Sequence, residues 1–569
     1  MKKIILCFFL FLTCIGYAQK GTPNSIENPE KAKDFLLPFV YSVAPNQGLI
    51  FIYISSQADT AHVIITCKDY PSFVEDITLP PYSDTIYRVP PTIDVILRES
   101  EEVSSKLMRV RSSSPIICIG SSGYSSIRDQ FAGVSEDKAG YYFRVLTYAD
   151  RYYHTDIQRG TPVPHLCVAA YYPGTEVTIT PTEYTMKNQP EEVPINFMLD
   201  SGECVYLQSQ YAHRNGRDLT GSIIISTKPV AVFAGHPYAE VPLDYSGNPH
   251  YGTHLYESIP PANNLGKGYI FQNSSQHREP ELLRVLAVKN GTQVRLNGEV
   301  WGVALQEGEY LDTMIRATVL IEANEQILVG HYSASKHDSK ADTPCAGFLA
   351  VLPPLESRCA DQTFYVCPDT LFYSLDPRPF YTIQHVQIAV ERSNKANVRL
   401  DGVLIPDSIF TDVPGSYDGK QFSVGSVKTS PGRQHRLTVP GKAENGFVFL
   451  VYGANWQSAY AYGSQMLYRK VDPLDVEVEG EERIGSSIFT VSITKDRATM
   501  TLRSSTDISG DATIEMFDAL GRCVLNTKTI ISGEECEIHL EKSTVSTGVY
   551  FVRVTTPKGI YSSKVMVVE

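Results

Sequence analysis

The sequence predicts an all-β protein made of tandem repeated β-sandwich-like or propeller-like units, followed by a small Ig-like β-sandwich at the C-terminal end. Short runs rich in Val, Ile, Tyr, Phe and Thr alternate with turn residues, and residues 49–54 and 221–226 are typical of them. The 39 glycines and 35 prolines supply the tight turns that short strands need. Similar segments also recur at a spacing of roughly 100 residues, which indicates an internal repeat.

One repeated segment consists of an apolar strand, a small polar turn and a strand of alternating character. We expect each copy to be a hairpin, because Asn290-Gly291 suits the positive φ angles of a tight hairpin turn. The copies are residues 165–181 and 282–298, with looser versions at 50–66 and 386–402.

A near-continuous apolar run closes each unit. Such a run buries both of its faces, so we expect each of these strands to lie in the middle of a sheet. The runs are residues 115–120, 229–235, 326–330 and 447–453.

Residues 33–470 therefore hold about four units. Each unit is either its own small sandwich or one blade-like sheet packed around a common axis, and about six or seven strands per unit favour sandwiches. Residues 471–485 read as an extended linker, because acidic side chains crowd together there: Asp475, Glu477, Glu479, Glu481 and Glu482. Residues 486–569 form the compact β tail.

The amino-terminal residues 1–18 read as a secretory signal peptide. Lys2 and Lys3 precede an apolar run, and small residues at 16 and 18 place the cleavage between Ala18 and Gln19. The run is too short for a membrane helix, which needs about 20 residues. A second interpretation makes Cys14 a lipid-anchored residue, although the residues before it lack the small side chain expected there. We expect no transmembrane helix elsewhere in the chain.

Charge and cysteine usage narrow the function classes. The net charge of −13 is spread without a basic stripe, which argues against nucleic acid as a partner. Removal of the signal peptide leaves an odd number of cysteines. We expect Cys523 and Cys536 to form a disulfide because they flank a predicted hairpin. No pair of cysteines is spaced as a structural zinc site requires, so we expect no metal.

Three motifs in the tail follow one another in order. They are a turn containing Asp518 and Gly521, a strand starting Gly548-Val549-Tyr550, and a strand containing Lys564-Val565. Together they resemble the C-terminal sorting domain of cargo for the type IX secretion system of Bacteroidetes. This resemblance implies that the type IX secretion machinery is a partner, and that the protein passes through the periplasm to be secreted or held at the outer cell surface. The alternative is an ordinary terminal Ig-like domain.

The body resembles the N-terminal region of the IgGFc-binding protein family. Residues 219–236 and 253–271 carry the resemblance, and a proline pair followed by an aromatic strand recurs in residues 351–366. The family often has a Cys-Asp pair before the His-Leu; here Gly252 and Thr253 stand there. That departure removes a disulfide that the family would imply.

A search for catalytic chemistry finds no candidate residues. His250 and His254 are four apart, but Gly and Pro around them forbid the helix that a zinc protease needs. No nucleophile elbow of the GxSxG type occurs, and no cofactor motif is present. We therefore expect a protein that is not an enzyme and has no cofactor.

Tyrosine clusters are the better indication of a binding site. Tyrosine is favoured at binding surfaces because it combines an apolar ring with a hydroxyl. We expect Tyr238, Tyr245, Tyr251 and Tyr256 to contact a ligand, whereas the alternative is that they pack in the core. A second cluster comprises Tyr141, Tyr142, Tyr148, Tyr152, Tyr153 and His154.

These observations predict a secreted or cell-surface binding or adhesion protein that recognises a host glycoprotein, a mucin or a polysaccharide. Two alternatives stay open, a secreted glycosidase or peptidase and a passive structural protein of the surface layer.

Overall fold

The structure is a computed structural model. It describes residues 33–42, 50–124, 127–149, 162–211, 217–241, 252–274, 280–335, 346–368, 381, 383–441, 445–455, 458–464, 489–494, 499–504, 510–518, 523–531, 535–539, 548–556 and 559–567. The described part is almost entirely β, as the sequence predicts, and the helical residues are short 3-10 turns. The predicted signal peptide (1–18) and the predicted acidic linker (471–485) lie outside the described residues.

The first two units occupy residues 34–135 and 140–259. The strands of the first are β1 (Asp34–Leu37), β2 (Phe39–Val40), β3 (Phe51–Ser56), β4 (Ala61–Cys67), β5 (Val74–Leu79), β6 (Asp84–Arg88), β7 (Ile96–Leu97), β8 (Glu102–Ser104), β9 (Met108–Ser112), β10 (Ile116–Tyr124), β11 (Ile127–Ala132) and β12 (Val134–Ser135). Those of the second are β13 (Gly140–Arg144), β14 (His165–Ala170), β15 (Thr175–Thr180), β16 (Ile195–Leu199), β17 (Glu203–Gln208), β18 (Ile223–Ala239) and β19 (Thr253–Ile259).

The third and fourth units occupy residues 266–351 and 361–463. The third contains β20 (Gly266–Phe271), β21 (Glu281–Ala287), β22 (Thr292–Leu296), β23 (Glu299–Leu305), β24 (Tyr310–Ile315), β25 (Val319–Tyr332) and β26 (Leu349–Val351). The fourth contains β27 (Asp361–Val366), β28 (Ile383–Glu391), β29 (Arg399–Leu400), β30 (Val403–Leu404), β31 (Thr411–Asp412), β32 (Phe422–Lys428), β33 (Arg433–Thr438), β34 (Phe447–Ala454) and β35 (Ala459–Gly463).

All four of these described units share one strand plan, an outer sheet and an inner sheet that form a sandwich. The outer sheets run β12-β1-β9-β4-β5, β13-β18-β15-β16, β20-β25-β22-β23 and β27-β33-β29-β30. The inner sheets run β11-β10-β3-β6, β19-β18-β14-β17-β8, β26-β25-β21-β24 and β35-β34-β28-β32-β31. The long strands β18 and β25 serve both sheets, pairing in the outer sheet with their first halves and in the inner sheet with their second halves.

The four sandwiches close into a ring. Each inner sheet packs one face on its own outer sheet and the other face on the preceding unit, so that every junction has a shared apolar core. At the centre the last inner-sheet strands of the units, β11, β19, β26 and β35, contact one another in turn. We call these the axial strands. The units are therefore sandwiches and are also arranged around a common axis, which combines the two architectures that the sequence left open.

The four apolar runs predicted as central strands are confirmed. They are β10, the second half of β18, the second half of β25, and β34, each paired on both sides. Their residues are buried on both faces, because the inner sheet lies between two apolar layers.

The predicted hairpins are wrong. In the second unit β14 lies in the inner sheet and β15 in the outer sheet, so the turn between them crosses the sandwich. The same holds for the other three copies. The physical reason is visible in the burial pattern, since β14 is buried throughout while β15 alternates as a sheet with one exposed face does. Gly291 has the expected positive φ of 73°, but its turn joins two sheets.

The connections between units are short 3-10 turns. They are Glu136–Lys138, Ala262–Asn264 and Leu355–Ser357, and proline pairs at 260–261 and 353–354 precede the last two. A proline fixes its own φ angle, so each pair holds the chain extended as it leaves the axial strand and enters the next unit.

The tail has two sheets, β36-β37-β40 and β39-β38-β41-β42. Its strands are β36 (Phe489–Thr494), β37 (Thr499–Ser504), β38 (Gly510–Asp518), β39 (Cys523–Ile531), β40 (Glu535–His539), β41 (Gly548–Thr556) and β42 (Gly559–Val567). Cys523 and Cys536 lie on β39 and β40, which belong to different sheets, so the hairpin assumed between them is wrong. Their disulfide stays a prediction.

Candidate functional site

At one end of the ring, described strands of all four units border long connecting segments. Register pairs His165 at the start of β14 with Gly235 near the end of β18, and Gly235 with Tyr256 near the start of β19. The start of β14, the end of β18 and the start of β19 therefore meet at one end of the second unit. The corresponding strands of the other units follow the same register. We call this the loop end. The segments that enter or leave the described strands there are 43–49, 150–161, 275–279 and 369–380, and 125–126, 242–251, 336–345 and 456–457.

One described tyrosine of each tyrosine-rich stretch, Tyr148 or Tyr238, lies near the loop end of the second unit. Tyr148, the last described tyrosine before segment 150–161, packs with Ala239, Val241 and Leu255, which flank segment 242–251. Tyr238 lies on β18 and is half-buried. Tyr245 and Tyr251 lie outside the described residues.

Tyr256 is a core residue, which corrects its assignment to the ligand-binding set. Its side chain is fully buried and its hydroxyl donates to the carbonyl of Pro38 at 3.2 Å. Its ring stacks against Phe233 and meets Phe131 edge-on, with centroids 5.9 and 5.0 Å apart. A side chain enclosed in this way offers no surface to a ligand.

The position of Tyr256 is part of a repeated device. In three units an aromatic residue of the axial strand pairs with a glycine of the central strand: Phe131 with Gly120, Tyr256 with Gly235, and Tyr460 with Gly453. A Cβ on Gly120 or Gly453 would lie 2.5 or 2.4 Å from the partner's ring. At these two positions glycine is needed because the ring lies directly over it, whereas a Cβ on Gly235 would meet the Leu255 carbonyl oxygen.

The loop end also buries two histidines. His165 and His254 have no exposed surface, and their ring centroids are 6.2 Å apart. Burial lowers the pKa of His254 to about 3, and burial together with the neighbouring histidines lowers that of His165 well below its usual range. His165 keeps one hydrogen bond, between Nδ1 and the Tyr206 hydroxyl at 3.1 Å. These imidazoles are neutral at physiological pH, so they serve as packing groups and not as acids.

The junction between the second and third units contains a buried cation. Arg284 on β21 lies 2.6 Å from Asp218 Oδ2 and makes a two-pronged contact with Asp312 at 2.8 Å. Its guanidinium also donates to the Thr147 carbonyl and lies 4.1 Å from the centre of the Tyr310 ring. The carboxylates hold the pKa of Arg284 above its ordinary value, and this arginine in turn lowers the pKa of Asp218 against the effect of burial. The cluster fixes one unit to the next.

Sequence reasoning missed Glu257, which lies near the ring axis at the end opposite the loops. Glu257 is 3% exposed, and burial raises the pKa of its carboxyl to about 8. The available signal was an acidic residue inside the apolar strand β19, HLYESI.

Within the described part of the chain, no group of three or more His, Cys, Asp and Glu side chains is arranged to hold a metal ion. The described helical segments include none with the length and apolar character needed to cross a bilayer.

The predicted sorting residues occupy adjacent strands of the tail. Asp518 on β38 pairs with Tyr550 on β41, and Tyr550 pairs with Val565 on β42, so three motifs form one row across the sheet. Gly548, Val549 and Lys564 lie on the same two strands, β41 and β42. Gly521, like Ala18 and Gln19 of the signal cleavage site, falls outside the described residues.

A ring of four β-sandwiches followed by a separate β tail defines a class of all-β repeat protein, and comparison with known families gives the finer assignment. The profile described as "IgGFc binding protein" matches residues 134–453, more than half of the chain. The chain belongs to the IgGFc-binding protein family. The profile described as "Secretion system C-terminal sorting domain" matches residues 489–568. The protein is therefore exported by the type IX machinery and is secreted or located at the cell surface, and neither family description names an enzyme.

The family match covers the second to fourth units. The first unit lies before residue 134, yet it has the same two sheets and its inner sheet packs on the fourth unit. The ring is closed by this unit.

No curated protein matches the chain at a significant level. Among solved structures, the biofilm-associated protein BSP domain is 8% identical, with 80% of this chain and 78% of that chain covered and a TM-score of 0.13. Native Escherichia coli alpha-2-macroglobulin is 10% identical, with 95% and 39% covered and a TM-score of 0.14. The N-terminal eight Ig domains of Down Syndrome Cell Adhesion Molecule are 8% identical, with 95% and 84% covered and a TM-score of 0.13. Likenesses at this level carry no argument about this chain.

Proposed function

We propose that the protein is an adhesion protein that binds a glycoprotein, a mucin or a polysaccharide outside the cell through the loop end of its ring. The observation that carries this proposal is the register of the inner sheets, which places the strand ends that border the connecting segments at one end of the ring in all four units. Rigid sheets that present variable segments are a common basis for recognition.

The second unit is the centre of the proposed site. Segments 150–161 and 242–251 hold tyrosines 152, 153, 245 and 251, and both leave a scaffold fixed by the buried Tyr148 cluster. Tyrosine hydroxyls and rings suit the polar and apolar faces of sugars. Immunoglobulin Fc, which the family description names, is itself a glycoprotein and belongs among the probes.

The test uses the exported protein on an array of glycans, mucins, polysaccharides and immunoglobulin Fc. The double variant Tyr245→Ala/Tyr251→Ala should lose binding at least about tenfold, because interface tyrosines are often worth more than 1.4 kcal/mol each. The matched control is Tyr82→Ala, since Tyr82 is 61% exposed in the turn before β6, at the end of the ring away from the loops. Equal binding by both variants contradicts the proposal, and hydrolysis of a probe favours an enzyme instead.

A further inference from the structure

The outer strands β15 and β16 of the second unit are joined by a long connection, residues 181–194. The corresponding strands of the third unit, β22 and β23, are joined by two residues, and so are β29 and β30 of the fourth unit. A two-residue turn is therefore enough for this step of the fold. The additional residues of the second unit are an insertion, and insertions in repeat proteins often lie on the face that binds a ligand. We call residues 181–194 the inserted segment.

The inserted segment lies at the loop end. The Met186 amide donates to the Gln208 carbonyl at 2.9 Å, and the Gln210 amide donates to the Tyr184 carbonyl at 2.6 Å. Residues 184–186 therefore run antiparallel to the chain at the end of β17, where Gln208 pairs with His165. The inserted segment thus extends the scaffold at the end of the ring to which the proposed function assigns binding.

Side-chain hydrogen bonds fix the inserted segment in one conformation. Thr185 is fully buried, and its hydroxyl donates to Glu101 Oε1 of the first unit at 2.7 Å. The Lys187 amide donates to the other carboxyl oxygen of Glu101 at 2.9 Å, and the Gln189 amide donates to the Thr185 hydroxyl at 3.1 Å. Asn188 adopts a positive φ of 64° between them, which is unfavourable for most side chains. A segment held in this way loses little conformational entropy when a ligand binds.

The outward face of the inserted segment carries an exposed aromatic ring. Successive side chains of an extended segment point to opposite faces, so Tyr184 and Met186 point away from the buried Thr185. They are 37% and 38% exposed. The Arg217 guanidinium lies 5.1 Å from the centre of the Tyr184 ring and is held there by Glu183 at 2.9 Å. The ring is therefore fixed in orientation while part of its surface stays open.

Planar polar groups surround this ring. Gln210 Nε2 donates to Asn188 Oδ1 at 2.6 Å, and Arg217 donates to Gln210 Oε1 at 3.4 Å. A sugar presents C–H groups on one face and hydroxyls around its edge, and each hydroxyl both donates and accepts, as the two amides do. The centre of a protein–protein interface is instead depleted of charged residues, whereas the ion pair of Arg217 and Glu183 stands at the centre of this surface. The chemistry fits a sugar better than a protein side chain.

We propose that Tyr184, Gln210 and Arg217 form a platform for one sugar ring of the ligand. The sugar stacks on the open part of the Tyr184 ring, and its hydroxyls form hydrogen bonds with the Gln210 amide and the Arg217 guanidinium. This inference rests on the proposed function and adds a preformed subsite to it.

The experiment measures the affinity of the exported protein for the oligosaccharide that binds best on the array of glycans, mucins and polysaccharides. Tyr184→Ala should weaken binding at least about tenfold, whereas Tyr184→Phe keeps the ring and should stay within about threefold of the unmodified protein. The matched control is Tyr172→Ala. Tyr172 is also 37% exposed, but it lies in the turn between β14 and β15 at the end opposite the loops.

The outcomes separate the platform from the proposed function. Loss of binding in Tyr184→Ala alone supports the platform. Full binding by Tyr184→Ala, with a loss in Tyr245→Ala/Tyr251→Ala, would overturn the platform and leave the proposed function standing. Binding to a glycoprotein that persists after its glycans are removed enzymatically would show that the partner is a protein surface, which also overturns the platform. Absence of binding to every probe overturns both proposals.

Discussion

The second and third units place the same backbone around different chemistry. Each central strand contains a glycine, Gly235 in β18 and Gly330 in β25, and the neighbouring inner strand places a large polar residue opposite it, His165 or Arg284. In the second unit the surroundings are aromatic, with the Tyr256 ring centroid 5.5 Å from that of His165. In the third unit Arg284 forms ion pairs with two aspartates at the junction, Asp218 and Asp312.

The repeat therefore fixes the geometry of the strands, whereas the charge state of a buried side chain depends on the residues around it. His165 is buried among rings and other histidines, so burial keeps it neutral. Arg284 is equally buried but keeps its charge, because Asp218 and Asp312 compensate it. The fourth unit gives a third solution, in which Gln384 accepts a hydrogen bond from Tyr460 across the glycine at 2.6 Å.

The largest effect is expected where the shared backbone itself is disturbed. A Cβ on Gly235 would lie 1.8 Å from the carbonyl oxygen of Leu255, so Gly235→Ala must push β18 and β19 apart. We expect a loss of at least about 5 kcal/mol in the free energy of unfolding, measured by denaturant titration of the exported protein.

Gly291 provides the matched control for this change. It has a positive φ of 73° but open space around its Cβ position, so Gly291→Ala should cost only about 1 kcal/mol. Similar losses for the two variants would mean that the close approach of β18 and β19 is not essential to the ring.

A smaller effect is expected from removing the positive charge of Arg284 in the third unit. Arg284→Met leaves Asp218 buried without its cation and should cost about 3 kcal/mol by the same titration. The control is Arg436→Met, whose ion pair with Asp361 is half exposed and should be worth less than about 1 kcal/mol. If Asp218→Asn/Arg284→Met is no more stable than Arg284→Met, the uncompensated carboxylate is not the cause of the loss.

These local differences mark the limit of what the sequence predicts. The central strands were predictable because their apolar runs are continuous, and the tail motifs were predictable because they are local in sequence. The crossing between β21 and β22 was missed because the turn at Gly291 looks the same whether the strands pair or separate. The contrast between a wholly buried strand and an alternating one was the unused signal.

The candidate site was predictable only in part. A tyrosine cluster in the sequence does not separate Tyr256, which packs in the core, from residues of the neighbouring segment, because burial depends on which strands lie alongside. The ion cluster of Arg284 and the environment of Glu257 depend on contacts between units, which a local pattern does not contain.

The smallest effect concerns the neutral histidine of the second unit, and it appears only in acid. The pKa of His165 is lower in the folded protein than in the unfolded chain, so folding opposes its protonation. Its contribution to stability is complete above the unfolded pKa of about 6.5 and is lost as the pH falls below that value. His165→Gln, which copies Gln384 of the fourth unit, should cost less than about 1 kcal/mol at pH 7. Between pH 6.5 and 5.5 it should remove up to about 1.4 kcal/mol of the acid destabilisation, as measured by urea titration at each pH. If the free energy of unfolding of this variant falls with pH as steeply as that of the unmodified protein, His165 does not take up a proton on unfolding. The contrast with Arg284 would then be one of shape and not of charge.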